Sequence, residues 1–295
     1  MQAIQEPTAL SIRNILLATD FSPASARAAD YARALTSRFA STVQIAHVFA
    51  PLAILVTGEL GVTLPVEDAS KRSSENLDRW HADFLRAGVD VRTLSLESRK
   101  PAQAILQAAS EQDVDLIVTG TTSKVGFERV ILGSTAEEII RSAECPVLTV
   151  GPKAKPPADG PLAFSSIVYA TDFSPEAIKA AVFALSFAED SGARLLCCYV
   201  SSAEGTNADE RDYLDLQFKE ALERMIPESS YDWCNPECVV AHGDASQAIL
   251  DLARRVGADL IVLGARKSSY WLTHIERGMT PHLLAEATCP VLTVS

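Results

Sequence analysis

"ILLATDFSP", residues 15–23, returns further along the chain as "IVYATDFSP", residues 167–175. An unbroken apolar run followed by a small polar turn and a proline reads as a strand buried on both faces that leads into a helix. Three further stretches repeat in the same order. "QAIL" at 103–106 returns at 247–250, "DLIVTG" at 115–120 returns as "DLIVLG" at 259–264, and "AECPVLTV" at 143–150 returns as "ATCPVLTV" at 287–294. The chain is therefore a tandem duplication. The boundary falls in "GPKAKPPADGP", residues 151–161, whose prolines and flanking glycines predict an extended, weakly structured connector. The expected division is residues 1–152, a linker at 153–163, and residues 164–295.

Within the first copy, apolar strands alternate with helical patterns. "ILLAT" is followed by the Ala-rich 22–39, then by "TVQIAHVFA" at 42–50 and by an amphipathic helix ending at Gly88. "VDVRTLSLE", a helix over 102–113, "DLIVTG", a helix over 134–143 and "PVLTV" complete the unit. Such alternation predicts an α/β fold with a parallel sheet covered on both faces. Each copy is expected to be a five-stranded, doubly wound, Rossmann-like domain of strand order 3-2-1-4-5. The apolar final strands, 146–150 and 290–294, are exposed edges that invite pairing.

The 295 residues carry a net charge of −12, with 47% hydrophobic and 22% charged residues, enough to fill two cores. That charge argues against a nucleic-acid backbone as main partner. The first ten residues show no secretory pattern and no apolar run is long enough to span a membrane, so the expected compartment is cytoplasmic, with no membrane partner. Of the six cysteines, Cys145, Cys197, Cys198 and Cys289 are expected to be buried free thiols. "CNPEC" at 234–238 with His242 lacks a standard zinc spacing, and the expectation is no metal site.

Ligands of doubly wound sheets settle at the carboxyl ends of strands where the strand order reverses. That places Ala18-Thr19-Asp20 across a cleft from Thr119-Gly120, with Gly133-Ser134 opening the fourth helix on the same rim. Gly120 and Gly133 would let a ligand approach the backbone, and the free amides of a helix start suit a phosphate. Asp20 would accept from a ribose or hold a metal, and Lys124 and Arg129 would add charge. A second reading stands beside this one. "STAE" at 134–137 has the form of a capping box, Ser134 capping and Glu137 reaching back. One serine can serve both ends.

These motifs, repeated twice in order over nearly the whole chain, resemble the universal stress protein family in its tandem form. Its nucleotide-binding branch carries Gly-x2-Gly-x9-Gly-(Ser/Thr). The first copy has Gly120, then Ser123 in place of the second glycine, then nine residues before Gly133-Ser134. The resemblance implies that Asp20 meets the ribose of an adenine nucleotide and that Val48 meets the base. Gly120, Ser123, Gly133, Ser134 and Thr135 would line the phosphates, with Ser123 either crowding them or binding them. It also implies that the fifth strands pair, here within one chain as an internal pseudo-dimer, and that two tandem chains form a homodimer.

The second copy departs from the motif. Lys267, Arg277 and Gly278 stand where the first copy has Ser123, Gly133 and Ser134. Its helix is expected to start at Thr280 as cap with Pro281 next. Arg266, Lys267, His274 and Arg277 read as a solvated loop, and Tyr270 and Trp271 as packing or interface residues. The resemblance thus implies a stress-response protein binding ATP, with any accompanying Mg²⁺, in the first domain for sensing or regulation. The alternative is an interaction module that acts through dimerisation without nucleotide. No Walker loop, dinucleotide fingerprint or nucleophile–base pair is present, so no dedicated enzyme is expected, slow ATP hydrolysis aside.

Overall fold

The computed structural model describes residues 10–50, 66–121, 124–126, 129–131, 133–201, 207–234, 236–265 and 279–295. The first half runs β1 (Asn14–Thr19), α1 (Pro23–Phe39), β2 (Thr42–Phe49), α2 (Val66–Arg86), β3 (Val91–Glu97), α3 (Pro101–Glu111) and β4 (Leu116–Gly120). A short antiparallel hairpin, β5 (Lys124–Gly126) and β6 (Arg129–Ile131), precedes α4 (Ser134–Ser142) and β7 (Val147–Val150). The second half repeats the order with β8 (Ser166–Thr171), α5 (Pro175–Ser191), β9 (Arg194–Ser201), α6 (Ala208–Met225) and β10 (Glu237–His242). It closes with α7 (Ala245–Val256), β11 (Leu260–Gly264), α8 (Met279–Glu286) and β12 (Val291–Val294).

Each half forms a parallel five-stranded sheet, ordered β3-β2-β1-β4-β7 and β10-β9-β8-β11-β12. This is the expected 3-2-1-4-5 order in both copies. The two last strands then pair antiparallel, Leu292 against Leu148, and fuse the halves into one ten-stranded sheet. The expected pairing of the apolar edges within one chain is what the structure shows.

Burial explains the unbroken strands. Ile15, Leu16 and Leu17 are all 0% exposed, because successive side chains enter opposite layers and both layers are covered. Ile15 and Leu17 join the core under α1, α2, α5 and α6, whereas Leu16 joins the one under α3, α4, α7 and α8. All six cysteines are free, and Cys145 and Cys238 are only partly buried. Burial pushes the Cys145 and Cys238 thiols up to about 11. His242 Nε2 lies 2.9 Å from Asp215 Oδ2, so the histidine beside "CNPEC" is engaged by a carboxylate.

Two expectations about local structure need correction. The connector has no helix or strand, yet it is pinned at several points. Lys155 N donates to Thr288 O at 3.0 Å, Tyr31 Oη donates to Lys155 O at 2.7 Å, and Leu162 N donates to Ala34 O at 3.0 Å. Ala154 and Leu162 are buried, because the connector crosses the core face shared by both halves rather than open solvent. Thr280 is not a cap, since α8 already includes Met279 and Thr280. Arg266, Lys267, Tyr270, Trp271, His274, Arg277 and Gly278 lie outside the described residues.

Candidate functional site

At the carboxyl end of the first half-sheet, between β1 and β4, lies a cleft of about 270 Å³. The strand ends supply Ala18, Thr19 and Asp20 on one side and Thr119, Gly120 and Thr121 on the other, with Val48 from β2. Gly133, Ser134 and Thr135 enter from the start of α4, Pro101 and Ile105 from α3, and Ser22 and Ser25 from the start of α1. The topology thus brings together Ala18, Thr19, Asp20, Val48, Thr119, Gly120, Gly133, Ser134 and Thr135. Ser123 lies outside the described residues, as do the side chains of Lys124 and Arg129.

The loop after β1 is held by its own hydrogen bonds. Phe21 adopts a left-handed backbone, φ 61°, and its amide donates to Thr19 Oγ1 at 2.9 Å. Its ring packs 4.4 Å from His47 and 5.5 Å from Trp80, which holds an unfavourable conformation for a bulky residue. Phe173 repeats the conformation at φ 60° in the second copy. Asp20 Oδ1 accepts from Ser22 N at 2.9 Å and from Ser25 Oγ. Burial pushes the Asp20 carboxyl up, but the hydrogen bonds from Ser22 and Ser25 outweigh it and hold the group below the ordinary aspartate value.

Gly120, besides lining the cleft, has a packing task. A Cβ there would sit 2.3 Å from Ala24 O and 2.8 Å from Ser25 N, so the missing side chain lets β4 abut the start of α1. Gly264 makes the same approach to α5, with Ala177 N at 2.4 Å. This glycine serves packing in both copies, whatever the ligand. At Gly133, by contrast, no described atom lies within 4 Å of where a Cβ would stand.

The capping box does not form. Gly133 is the N-cap of α4, Ser134 is already the first helical residue, and no side chain among the described residues closes the first turn. Ser22, Ser174, Asn207 and Asp244 cap α1, α5, α6 and α7 with side-chain oxygens. Among the α-helices whose start is described, only α3 and α4 go without, and both open on this cleft. Thr121 adds a second unsatisfied group. It is 3% exposed, and its Oγ1 has no hydrogen-bond partner among the described residues. A buried hydroxyl without a partner costs about 1–3 kcal/mol, so this one is suited to receive a ligand or a water.

Sequence reasoning places Thr121 on the cleft side of β4 without giving it a role, and it missed Ser22, Ser25, Pro101 and Ile105. The hydroxyl pattern "DFSPAS" and the residue after Gly120 carried a signal. The α3 residues needed the tertiary arrangement. In the second domain the corresponding positions lose hydroxyls: Ala177 replaces Ser25, Leu263 replaces Thr119 and Ala265 replaces Thr121. Among the described residues, no group of three or more His, Cys, Asp or Glu side chains is placed to hold a metal ion, and no helix is long and apolar enough to cross a membrane.

Comparison with known proteins agrees with this architecture. A universal stress protein of Methanocaldococcus jannaschii is 36% identical over 146 residues, spanning 47% of this chain and 81% of that protein. One from Thermus aquaticus is 34% identical over 139 residues, spanning 47% of this chain and 98% of that protein. The crystal structure of a universal stress protein from Archaeoglobus fulgidus superposes with a TM-score of 0.74 at 19% identity, covering 97% of both chains, and so shares the fold. The model of the universal stress protein family matches residues 11–151 and again 163–295, and the chain belongs to that family as a tandem member.

Proposed function

We propose that the first domain binds an adenine nucleotide, ATP or a close relative, and that this binding serves sensing or regulation rather than turnover. One observation carries the reading: the start of α4 and the Thr121 hydroxyl, neither with a side-chain partner among the described residues, share a single cleft. Free helix amides and buried hydroxyls are the donors a phosphate needs, each charge-assisted bond contributing about 1.5–3 kcal/mol. Val48, Pro101 and Ile105 give the same cleft an apolar wall suited to a base. Asp20 is the carboxylate available to a ribose, or to Mg²⁺ arriving with the phosphates. The second domain, stripped of the matching hydroxyls, stays without nucleotide.

Calorimetric titration of the full chain with ATP tests the proposal. One site per chain is the expected result. Absence of heat together with no thermal shift at millimolar ATP overturns it. Gly133→Arg, which copies the second domain's Arg277, places a long cation over the α4 start from a position where no described atom lies within 4 Å of a Cβ. It should weaken binding by about a hundredfold or more while leaving the melting temperature unchanged.

A further inference from the structure

Helix α3 differs from its counterpart α7 in a way that folding alone does not favour. Lys100 is its N-cap residue, Pro101 follows, and no side chain closes the first turn. Arg99 and Lys100 are both exposed, and neither side chain has a partner among the described residues. A helix start carries partial positive charge, so two cations beside it repel it. The second domain follows the ordinary rule. Gly243 and Asp244 occupy the corresponding positions, and Asp244 Oδ1 accepts from Gln247 N at 2.9 Å. A local preference broken in one copy and kept in the other marks a functional position. Helix α3 borders the cleft through Pro101 in its first turn and Ile105 in its second, and that cleft holds the buried hydroxyl of Thr121, which has no partner among the described residues.

We propose that Arg99, Lys100 and the open start of α3 form a second anion-recognising edge of the first-domain cleft, separate from the α4 start, which makes the site prefer polyanionic nucleotides over less charged ones. The ligand class rests on the nucleotide reading above. The electrostatic edge rests on α3 itself. A guanidinium offers a forked pair of donors and an ammonium a compact charge, and an anion between them would also neutralise the helix end.

The test compares the full chain with the double variant Arg99→Gly/Lys100→Asp, which installs the second domain's own pair. The ligands are ATP, AMP and inorganic tripolyphosphate. In the variant, ATP affinity should fall about tenfold and AMP affinity about two- to threefold, with a shallower salt dependence for ATP. The unliganded variant should melt higher than the wild type, because α3 gains a cap and loses a repulsion. Tripolyphosphate should raise the melting temperature of the wild type by clearly more than that of the variant, which keeps the α4 start. Unchanged ATP affinity, or equal losses for ATP and AMP, overturns the proposal. If ATP fails to bind the wild type while tripolyphosphate stabilises it more than the variant, the nucleotide reading falls and the edge stands. If neither ATP nor tripolyphosphate acts on the wild type, both fall.

Discussion

At the scale of single residues, one amino-acid type does two unrelated jobs in the same cleft. Gly120 serves packing, with backbone atoms of α1 where a Cβ would go, whereas no described atom stands near the Cβ position of Gly133 at a helix start. The two are told apart by substitution. Gly120→Ala should destabilise the chain by about 2–3 kcal/mol in a urea melt, because backbone atoms cannot step aside as a flexible side chain would. Gly264→Ala should cost as much, since its clash with Ala177 is equally close. Equal sensitivity in a domain with and a domain without the hydroxyl set would show that this glycine reports on the fold, not on the ligand. The Phe21 and Phe173 pair follows the same logic. Phe21 and Phe173 share a left-handed backbone, and each ring packs on an aromatic neighbour, His47 and Trp80 in one copy and Tyr199 in the other.

At the scale of elements, the turn from β1 into α1 is a small electrostatic unit. Asp20 receives Ser22 N and Ser25 Oγ, and Ser22 Oγ in turn caps the helix at Ser25 N. Because the folded carboxyl sits below its ordinary value of 3.8, its contribution is complete above that value and is lost as pH falls through the lower, folded one. Asp20→Asn should therefore lower stability at neutral pH, by under about 1 kcal/mol for so exposed a group, and the difference from wild type should vanish in strong acid. Urea melts across that pH range check it, and a difference that grows on acidification contradicts it. The elements themselves were largely legible. Apolar runs such as 15–19 and 115–120 have one reading when they alternate with helical periods, and the repeat supplied the first, fourth and last strands twice. The start of α4 was not legible, since "GSTAE" fits a cap at Ser134 and a cap at Gly133 equally well, and only backbone geometry separates them. The contribution of α3 to the cleft was hidden for another reason. Pro101 and Ile105 are distant in sequence from the cleft motifs, and only the folding of α3 over the sheet brings them to Val48 and Ala18.

At the scale of the whole molecule, the β7–β12 seam is reinforced at its flanks. Arg38 of α1 donates from Nε to Asp190 Oδ2 of α5 at 2.8 Å and from its Nη2 to the Asp190 carbonyl. Lys153 of the connector reaches Glu286 at 2.6 Å, and Phe39, Phe187 and Phe164 meet edge to face nearby. Arg38→Asp should place two carboxylates together and lower the melting midpoint by the equivalent of about 1 kcal/mol, and adding Asp190→Arg should restore it. A double variant no better than the single one would assign the loss to packing instead. Arg38 and Asp190 stand at matching positions of the duplicated unit, each the next-to-last residue of the helix that follows a "TDFSP" turn. Between two identical subunits, a side chain lying on the rotation axis confronts its own twin, so a cation there could only meet another cation. Joining two copies end to end removed that constraint: one twin became the key and the other the lock, and each half now fits its sister better than it would fit a copy of itself.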